Sequence, residues 1–103
     1  LRFSTGDEST LTGTALIGRR PLAQRGEIVD RVITIVDPAR TVSKTHLEVG
    51  RHEGDLWVCD RFSVNGTVIT DAEGITRSLE PGRRYLARRG ATVVFGEQSF
   101  TID

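Results

Sequence analysis

The sequence predicts an all-β domain, and three observations support that prediction. Short stretches rich in β-branched residues recur along the chain, and Gly, Pro, Asp or Asn bounds nearly every one of them. No window of useful length places apolar residues at positions i, i+3, i+4 and i+7, the spacing of an amphipathic helix. The length of 103 residues allows one hydrophobic core. Many short strands in so small a domain predict a sandwich or a barrel.

The predicted strands follow one another at close spacing. A weak candidate lies around Phe3, and the stronger ones are residues 14–17, 32–36, 46–49, 56–59, 67–70, 85–87, 92–95 and 99–102. Each break contains residues that tolerate a positive φ or have a fixed φ. These turn signals are Asp37-Pro38, Glu53-Gly54-Asp55, Asn65-Gly66, Glu73-Gly74, Pro81-Gly82, Arg89-Gly90 and Gly96-Glu97.

Residues 18–31 form the longest segment without a strand pattern. The segment contains Arg19, Arg20, Pro21 and Arg25. A loop of this length in a small domain is usually functional or mobile. We therefore expect this loop to contribute to a binding site or to move.

The composition excludes several classes of protein. With 37% hydrophobic and 27% charged residues, the chain has an ordinary globular composition, not a disordered or fibrous one. Its 14 basic and 14 acidic residues give a net charge of zero, so we expect no nucleic-acid partner, and any anion site must be local. No apolar run approaches the ~20 residues of a membrane-spanning helix, so we expect no membrane insertion by this segment.

Cys59 is the only cysteine and cannot form an internal disulfide, which fits a reducing compartment. We therefore expect a cytoplasmic location, with Cys59 as a small buried apolar residue. The chain begins at Leu1 and contains no Met. We expect residues 1–103 to be a single domain excised from a longer protein.

Two stretches place anion-binding donors at the ends of predicted strands. Gly18 lets the chain turn after the first strong strand, and Arg19 then offers a planar fork of donors suited to phosphate oxygens. Ser43 and Lys44 come just before the predicted strand at 46–49, and Lys44 is the only lysine in the sequence. A hydroxyl, an ammonium and backbone N–H groups can face one anion there. Each stretch alone is equally compatible with an exposed loop that binds nothing.

A third stretch contains Asn65-Gly66, a strong tight-turn signal between two β-rich runs. Its simplest interpretation is a hairpin. The alternative is that the Asn65 amide, which has both a donor and an acceptor, pairs with the main chain of an extended peptide. This stretch alone does not decide between the two.

His46 invites three interpretations: acid–base chemistry, metal binding, or support of neighbouring loops by a half-buried ring. Neither His52 nor Cys59 stands at metal-ligand spacing from it, so we expect no metal site and no cofactor. Ser43, His46 and Asp60 are the residue types of a hydrolase triad. The chain lacks a Gly-x-Ser-x-Gly elbow, however, and we expect no enzyme activity.

Taken in order, the motifs Gly-Arg, Ser-x-x-His and Asp-x-x-Ser-x-Asn-Gly-Thr resemble those of the forkhead-associated (FHA) domain, a phosphothreonine-binding module. The resemblance runs from about Leu16 to the C-terminus. It implies a sandwich of two antiparallel sheets with the binding loops at one end. It also implies recognition of phosphothreonine-containing segments of partner proteins in Ser/Thr-kinase signalling, with a Ser/Thr protein kinase or its substrate as a candidate partner.

The resemblance implies a role for each motif residue. Arg19 and Ser43 would bind phosphate, Lys44 would add a cationic contact, and Asn65 would fix the peptide backbone. The residues expected to support or shape the loops are Gly18, His46, Asp60, Ser63 and Gly66.

Three residues bear on affinity and selectivity. Lys44 replaces the arginine more usual after the serine, which exchanges bidentate geometry for a point charge. Val64 lacks a side-chain donor but keeps its backbone N–H. Thr41 lies where the family often selects the third residue after the phosphothreonine.

The alternative to phosphopeptide recognition is a phospho-independent protein-interaction domain on the same fold. Its surface would be the segment carrying Arg83, Arg84, Arg88 and Arg89. The simplest interpretation of that arginine cluster is a solvated face.

Overall fold

The computed structural model describes residues 1–103. Ten strands form two five-stranded sheets. The strands are β1 (Arg2–Phe3), β2 (Thr14–Gly18), β3 (Arg31–Thr34), β4 (Leu47–His52), β5 (Asp55–Asp60), β6 (Thr67–Thr70), β7 (Thr76–Ser78), β8 (Arg84–Ala87), β9 (Thr92–Phe95) and β10 (Gln98–Thr101). The predicted all-β sandwich is confirmed. The structure has no helix with the length and apolar character that a membrane crossing requires.

The strand order is β1-β10-β9-β6-β7 in the first sheet and β3-β2-β4-β5-β8 in the second. Neighbouring strands are antiparallel except β2 and β3, which run parallel with Ala15 opposite Arg31 and Gly18 opposite Thr34. Parallel neighbours need a crossover connection in place of a tight hairpin. Residues 19–30, predicted as a long loop, provide that crossover. The prediction of antiparallel sheets therefore holds for every pair but this one.

Alternate residues of both sheets point between them and form one core. Ile17, Leu47 and Val58 contribute from the second sheet, and Phe95 and Phe100 from the first; all five are fully buried. The ring centroids of Phe95 and Phe100 lie 6.0 Å apart. Full burial of such a side chain contributes roughly 1.5–3 kcal/mol. The core thus anchors the strand ends from which the loops emerge.

The second sheet is also covered on its outer face. Trp57 packs over Gly50, where a Cβ atom would lie 2.2 Å from the indole ring. The guanidinium carbon of Arg84 lies 3.9 Å from the centroid of the Trp57 ring, in a cation–π contact. Cys59 is buried, as expected, and burial raises the pKa of its thiol. The thiol is therefore protonated and unreactive at neutral pH.

An ion-pair cluster ties the crossover to this outer face. Arg61, just after β5, lies 2.8 Å from a carboxylate oxygen of Glu27 and 3.5 Å from one of Glu48. The hydrogen bond from Arg61 lowers the pKa of the Glu27 carboxyl. Leu16, which faces outward from β2, is fully buried. The ion pair between Glu27 and Arg61 thus attaches the crossover to the second sheet.

Most strands begin or end one to three residues away from the predicted bounds, and three differences are notable. β4 begins at Leu47, so His46 lies one residue before the strand in which it was predicted. β3 ends at Thr34, and Ile35 and Val36 belong to the following loop. β7 was not predicted, because all three of its residues are exposed and none is apolar.

Candidate functional site

Three loops meet at one end of the sandwich, and backbone hydrogen bonds join two of them. The N–H groups of Arg19 and Arg20 donate to the carbonyl oxygens of Ser43 and Lys44 at 3.1 and 3.0 Å. The backbone N–H of Val64 donates to Ser43 Oγ at 3.0 Å, which joins the third loop. The structure thus brings together the three motifs that the sequence presents far apart.

Gly18 permits the close approach of the first two loops. A Cβ atom at this position would lie 2.0 Å from the carbonyl oxygen of Lys44. Any larger residue would push the two loops apart. The residue expected to shape the loops therefore stands where only hydrogen fits.

Arg19 is held by one of its nitrogens and keeps the others available. Its Nε donates to the carbonyl oxygen of Val42 at 2.5 Å. The two terminal guanidinium nitrogens have no partner within the chain. A planar pair of N–H donors next to Ser43 matches the geometry of a phosphate.

Ser43 and Lys44 offer two further donors. Ser43 Oγ accepts from Val64 N–H, so its own O–H is left to donate to a ligand. The Lys44 side chain is exposed and makes no ion pair. The Val64 side chain is 89% exposed, and its backbone supplies the contact that the side chain cannot make.

Asn65 reaches across to the second loop. Its Nδ2 donates to the carbonyl oxygen of Thr41 at 2.8 Å. The carboxamide oxygen has no partner in the chain and is exposed, so it can accept from the main chain of a ligand. Gly66 follows with a φ of 79°, a left-handed conformation that suits glycine.

His46 lies fully buried beneath the loops and bonds to two of them. Its Nδ1 accepts from the backbone N–H of Ser43 at 3.0 Å, and its Nε2 donates to the carbonyl oxygen of Gly66 at 2.8 Å. These partners require the neutral ring with the proton on Nε2. Burial lowers the pKa of His46, and the Gly66 bond and the Asp60 charge only partly oppose that effect.

Asp60 organises the third loop. Its Oδ1 accepts from the hydroxyls of Ser63 at 2.5 Å and Thr67 at 2.7 Å, and its Oδ2 accepts from the Ser63 N–H at 3.1 Å. Ser63 Oγ in turn accepts from Gly66 N–H at 3.0 Å. The buried carboxylate thereby fixes the turn that presents Asn65.

Ser43, His46 and Asp60 do not form a catalytic triad. His46 contacts the backbone of Ser43, not its hydroxyl. Its other nitrogen donates to Gly66 and lies 4.0 Å from Asp60 Oδ1. No group of three or more His, Cys, Asp or Glu side chains is placed to hold a metal ion.

Asp37 is a structural residue of this site that the sequence analysis treated only as part of a turn. Its Oδ2 accepts from the N–H groups of Thr41 and Val42 at 2.6 and 2.8 Å and from the Thr41 hydroxyl at 3.0 Å. Its Oδ1 accepts from Gln98 Nε2 at 3.2 Å. Burial raises the pKa of Asp37, but these hydrogen bonds outweigh it and the pKa is lowered. An Asp four or five residues before its N–H partners was the available signal.

Thr41 connects the site to the turn between β9 and β10. Its hydroxyl oxygen accepts from the Glu97 N–H at 2.7 Å. A Cβ atom at Gly96 would lie 2.6 Å from the Thr41 carbonyl oxygen. Thr41, Asn65 and Gly96 also line an open notch of about 240 Å³ with Val68 and Val94 on the outer face of the first sheet. Thr41 therefore stands beside space that a peptide side chain could occupy.

Two residues of these loops have backbone conformations that are rare outside glycine. Arg40 has a φ of 57° and Phe62 a φ of 56°. Phe62 is nonetheless 75% exposed, with its ring against Gly82. Such conformations persist only where the surrounding structure enforces them, and they concentrate at functional loops.

Comparison of the sequence with protein-family models and with curated proteins finds no match. Solved structures do match. The FHA domain of CT664 from Chlamydia trachomatis has a TM-score of 0.65 and 20% identity, with 92% of this chain and 80% of that chain covered. The FhaA FHA domain, complexed with the intracellular domain of Rv3910, has a TM-score of 0.65 and 19% identity, with 97% and 93% covered.

The N-terminal FHA domain of Rad53p from S. cerevisiae, in complex with a phosphothreonine peptide, also matches. Its TM-score is 0.57 at 19% identity, with 94% of this chain and 73% of that chain covered. These similarities span nearly the whole chain. The chain has the forkhead-associated fold, as the resemblance implied.

Proposed function

We propose that this chain is a phosphopeptide-binding module that recognises phosphothreonine-containing segments of partner proteins in Ser/Thr-kinase signalling. The observation that supports this most strongly is the convergence of unpartnered donors. The Arg19 guanidinium lies beside Ser43 because hydrogen bonds between their loops hold it there, and no acid neutralises it. The partner would be a phosphothreonine-containing protein, such as a Ser/Thr protein kinase or its substrate.

The charge of phosphate accounts for the discrimination. A phosphate adds about −1.5 to −2 charges and three strong acceptor oxygens. Each charge-assisted hydrogen bond contributes roughly 1.5–3 kcal/mol. Because the net charge of the chain is zero, the attraction must come from Arg19, Ser43 and Lys44 and not from a global field.

The other loop residues have complementary roles in the proposal. Asn65 fixes the peptide main chain through its carboxamide. Thr41 and Val64 flank the phosphothreonine and influence the choice of neighbouring side chains. The supports of this arrangement are Gly18, His46, Asp60, Ser63 and Gly66.

Solved FHA domains support the proposal. One similar structure concerns phosphothreonine-dependent FHA domain interactions, one contains a phosphothreonine peptide, and one is an engineered FHA domain with a Myc-pTBD peptide. The chain therefore shares a fold with proteins that bind phosphorylated segments.

We propose binding without catalysis, because no base contacts the Ser43 hydroxyl. We also propose a cytoplasmic location. The location is supported by the free, buried Cys59 and the proposed role in kinase signalling.

The test is binding to a degenerate phosphothreonine peptide library, with phosphoserine and unphosphorylated versions alongside. Wild type is compared with Arg19→Ala and Ser43→Ala. Arg25→Ala, which removes an exposed arginine from the same crossover, is the matched control. We expect phosphothreonine binding by wild type and Arg25→Ala, and a loss of about tenfold or more for the two site variants. Equal binding of unphosphorylated peptide, or full binding by Arg19→Ala, would overturn the proposal.

A further inference from the structure

A groove opens on one side of the sandwich, between an edge strand of the first sheet and an edge strand of the second. β7 is an edge of the first sheet and β8 an edge of the second. The space between them measures about 510 Å³. The β6–β7 and β8–β9 turns line it, and both turns lie at the end of the sandwich opposite to the three loops. The groove is therefore separate from the phosphate site.

The floor of this groove is apolar. Ile69, Ala87 and Ala91 are buried at its base. Ile75 forms part of one wall and is 64% exposed, and Tyr85 forms part of the other. An exposed aliphatic side chain beside a buried apolar base can gain burial when a partner's apolar side chain enters.

The rim of the groove is basic. Arg77, Arg88 and Arg89 line it, and none of them makes an ion pair. Two acidic residues, Asp71 and Glu73, also line it. Asp71 Oδ1 accepts from the N–H groups of Glu73 and Ile75 and is used by the turn, so three arginines stand against the one carboxylate, that of Glu73, which the turn does not use. In a chain with a net charge of zero, this local excess of arginine favours an acidic partner.

The two edge strands leave backbone groups unpaired. β7 pairs only with β6, and β8 only with β5. The outer N–H and C=O groups of an edge strand can pair with another extended chain. A peptide satisfies both these groups and the apolar floor, whereas a nucleic acid would use only the charges.

We propose that this groove binds an extended, unphosphorylated, acidic segment of a partner protein. An aliphatic side chain of the segment enters the apolar floor, and Asp or Glu side chains on either side contact Arg77, Arg88 and Arg89. The main chain runs along the free edge of β8. The groove and the phosphate site do not overlap, so one partner can occupy both. Binding at one site then raises the effective concentration of the partner at the other site.

The experiment selects unphosphorylated peptides on this chain from a phage-displayed random library, with peptides long enough to cover a strand. Selected peptides are then measured against Arg88→Glu/Arg89→Glu. The charge-matched control is Arg20→Glu/Arg25→Glu, which changes two exposed crossover arginines. Arg19→Ala is included so that failure of the phosphate site is scored separately. Thermal melts confirm that each variant is folded.

We expect the selected sequences to combine acidic and aliphatic residues. Their affinity should fall about tenfold or more for Arg88→Glu/Arg89→Glu and stay near the wild-type value for the control and for Arg19→Ala. Amide chemical shifts should change at residues 84–91 and not at 41–45. Failure to enrich any peptide, enrichment of sequences without acidic residues, or unchanged affinity for Arg88→Glu/Arg89→Glu overturns the proposal. If an oligothymidylate bound at these arginines more tightly than the selected peptides do, the proposal would also be overturned, in favour of nucleic acid.

Discussion

His46 Nε2 donates to the carbonyl oxygen of Gly66 at 2.8 Å, while Nδ1 of the same ring accepts from the Ser43 N–H at 3.0 Å. One neutral imidazole therefore fixes both the loop with the phosphate donors and the turn with Asn65. The ring sits edge-on to Phe95, 5.7 Å between centroids, so the core itself sets its position. The geometry of the site thus depends on a residue that a ligand does not reach.

Replacing His46 with alanine should cost both stability and affinity. The change leaves a cavity and removes the partner of a half-buried N–H and of a half-buried carbonyl group, so we expect a loss of about 3–5 kcal/mol in the free energy of unfolding. Urea denaturation measures this quantity. His52→Ala is the control, because His52 is exposed and should change stability little. A His46 variant that retained wild-type stability would show that the ring does not hold the loops.

The stability of the fold should fall in mildly acidic solution. Burial lowers the pKa of His46 below its ordinary value of 6.5, so the unfolded chain binds a proton before the folded one does. The contribution of neutral His46 is fully present above about pH 6.5 and is lost as the pH falls from there towards the folded-state pKa. Urea unfolding at a series of pH values measures the slope.

His46→Gln should abolish most of that slope, whereas His52→Gln should leave it intact. Asp37 and Glu27 also have lowered pKa values, but they stabilise the fold above their ordinary values near 4 and lose that effect at lower pH. Their contribution to the stability of the fold is therefore lost at a lower pH than that of His46. A slope between pH 7 and 5.5 that survived in His46→Gln would contradict the assignment.

Several parts of this fold could be predicted from the sequence. β6 and β9 were predicted with the bounds observed, because alternating β-branched residues between clear turns define a half-buried strand. β7 was missed because Thr76, Arg77 and Ser78 bury nothing. The parallel pairing of β2 and β3 was also out of reach, since it depends on the path of the crossover across the sheet and not on either strand.

The candidate site could likewise be predicted from the sequence only in part. The motifs identified Arg19 and Ser43 as neighbours through the resemblance, and their loops are indeed bonded to each other. The sequence did not show that Asn65 Nδ2 contacts Thr41, or that Asp37 bonds to the backbone ahead of Ser43. Bonds from a side chain to a distant backbone group appear only after the loops have closed.

Asp37→Ala should weaken phosphopeptide binding although Asp37 does not reach the ligand. Four hydrogen bonds that order Thr41, Val42 and Gln98 are lost, so the loop that precedes Ser43 becomes mobile. We expect several-fold weaker affinity and about 2–4 kcal/mol lower stability. Isothermal titration with a phosphothreonine peptide and urea denaturation measure the two effects.

Asp30→Ala is the matched control for that change. Asp30 also accepts from a backbone N–H and a hydroxyl, both of Thr14, but it directly precedes β3, beside the first residue of β2 and away from the site. The Asp30→Ala variant should lose stability without losing affinity for the phosphothreonine peptide. If Asp37→Ala behaved in the same way, Asp37 would support the fold alone.

Lys44→Ala should produce a smaller, salt-sensitive loss of phosphopeptide affinity. Lys44 is an exposed point charge without an ion-pair partner, and exposed charges are screened at distances near the Debye length of about 8 Å at physiological salt. We expect a loss of a few-fold at low salt that shrinks as salt is added. The loss for Arg19→Ala should persist, because its guanidinium is half-buried and held by Val42. Equal salt dependence in both variants would contradict these roles.

Gly18→Ala should separate the first two loops and weaken phosphopeptide binding. The added Cβ would lie 2.0 Å from the carbonyl oxygen of Lys44, a backbone atom that cannot rotate away. We expect at least about tenfold weaker affinity and a loss of stability of about 2 kcal/mol or more. Gly26→Ala is the control: it has open space around it but a φ of 82°, so it should cost about 1 kcal/mol in stability and leave affinity unchanged. Gly18→Ala with full affinity would mean that Arg19 and Ser43 can bind phosphate without the close approach of their loops.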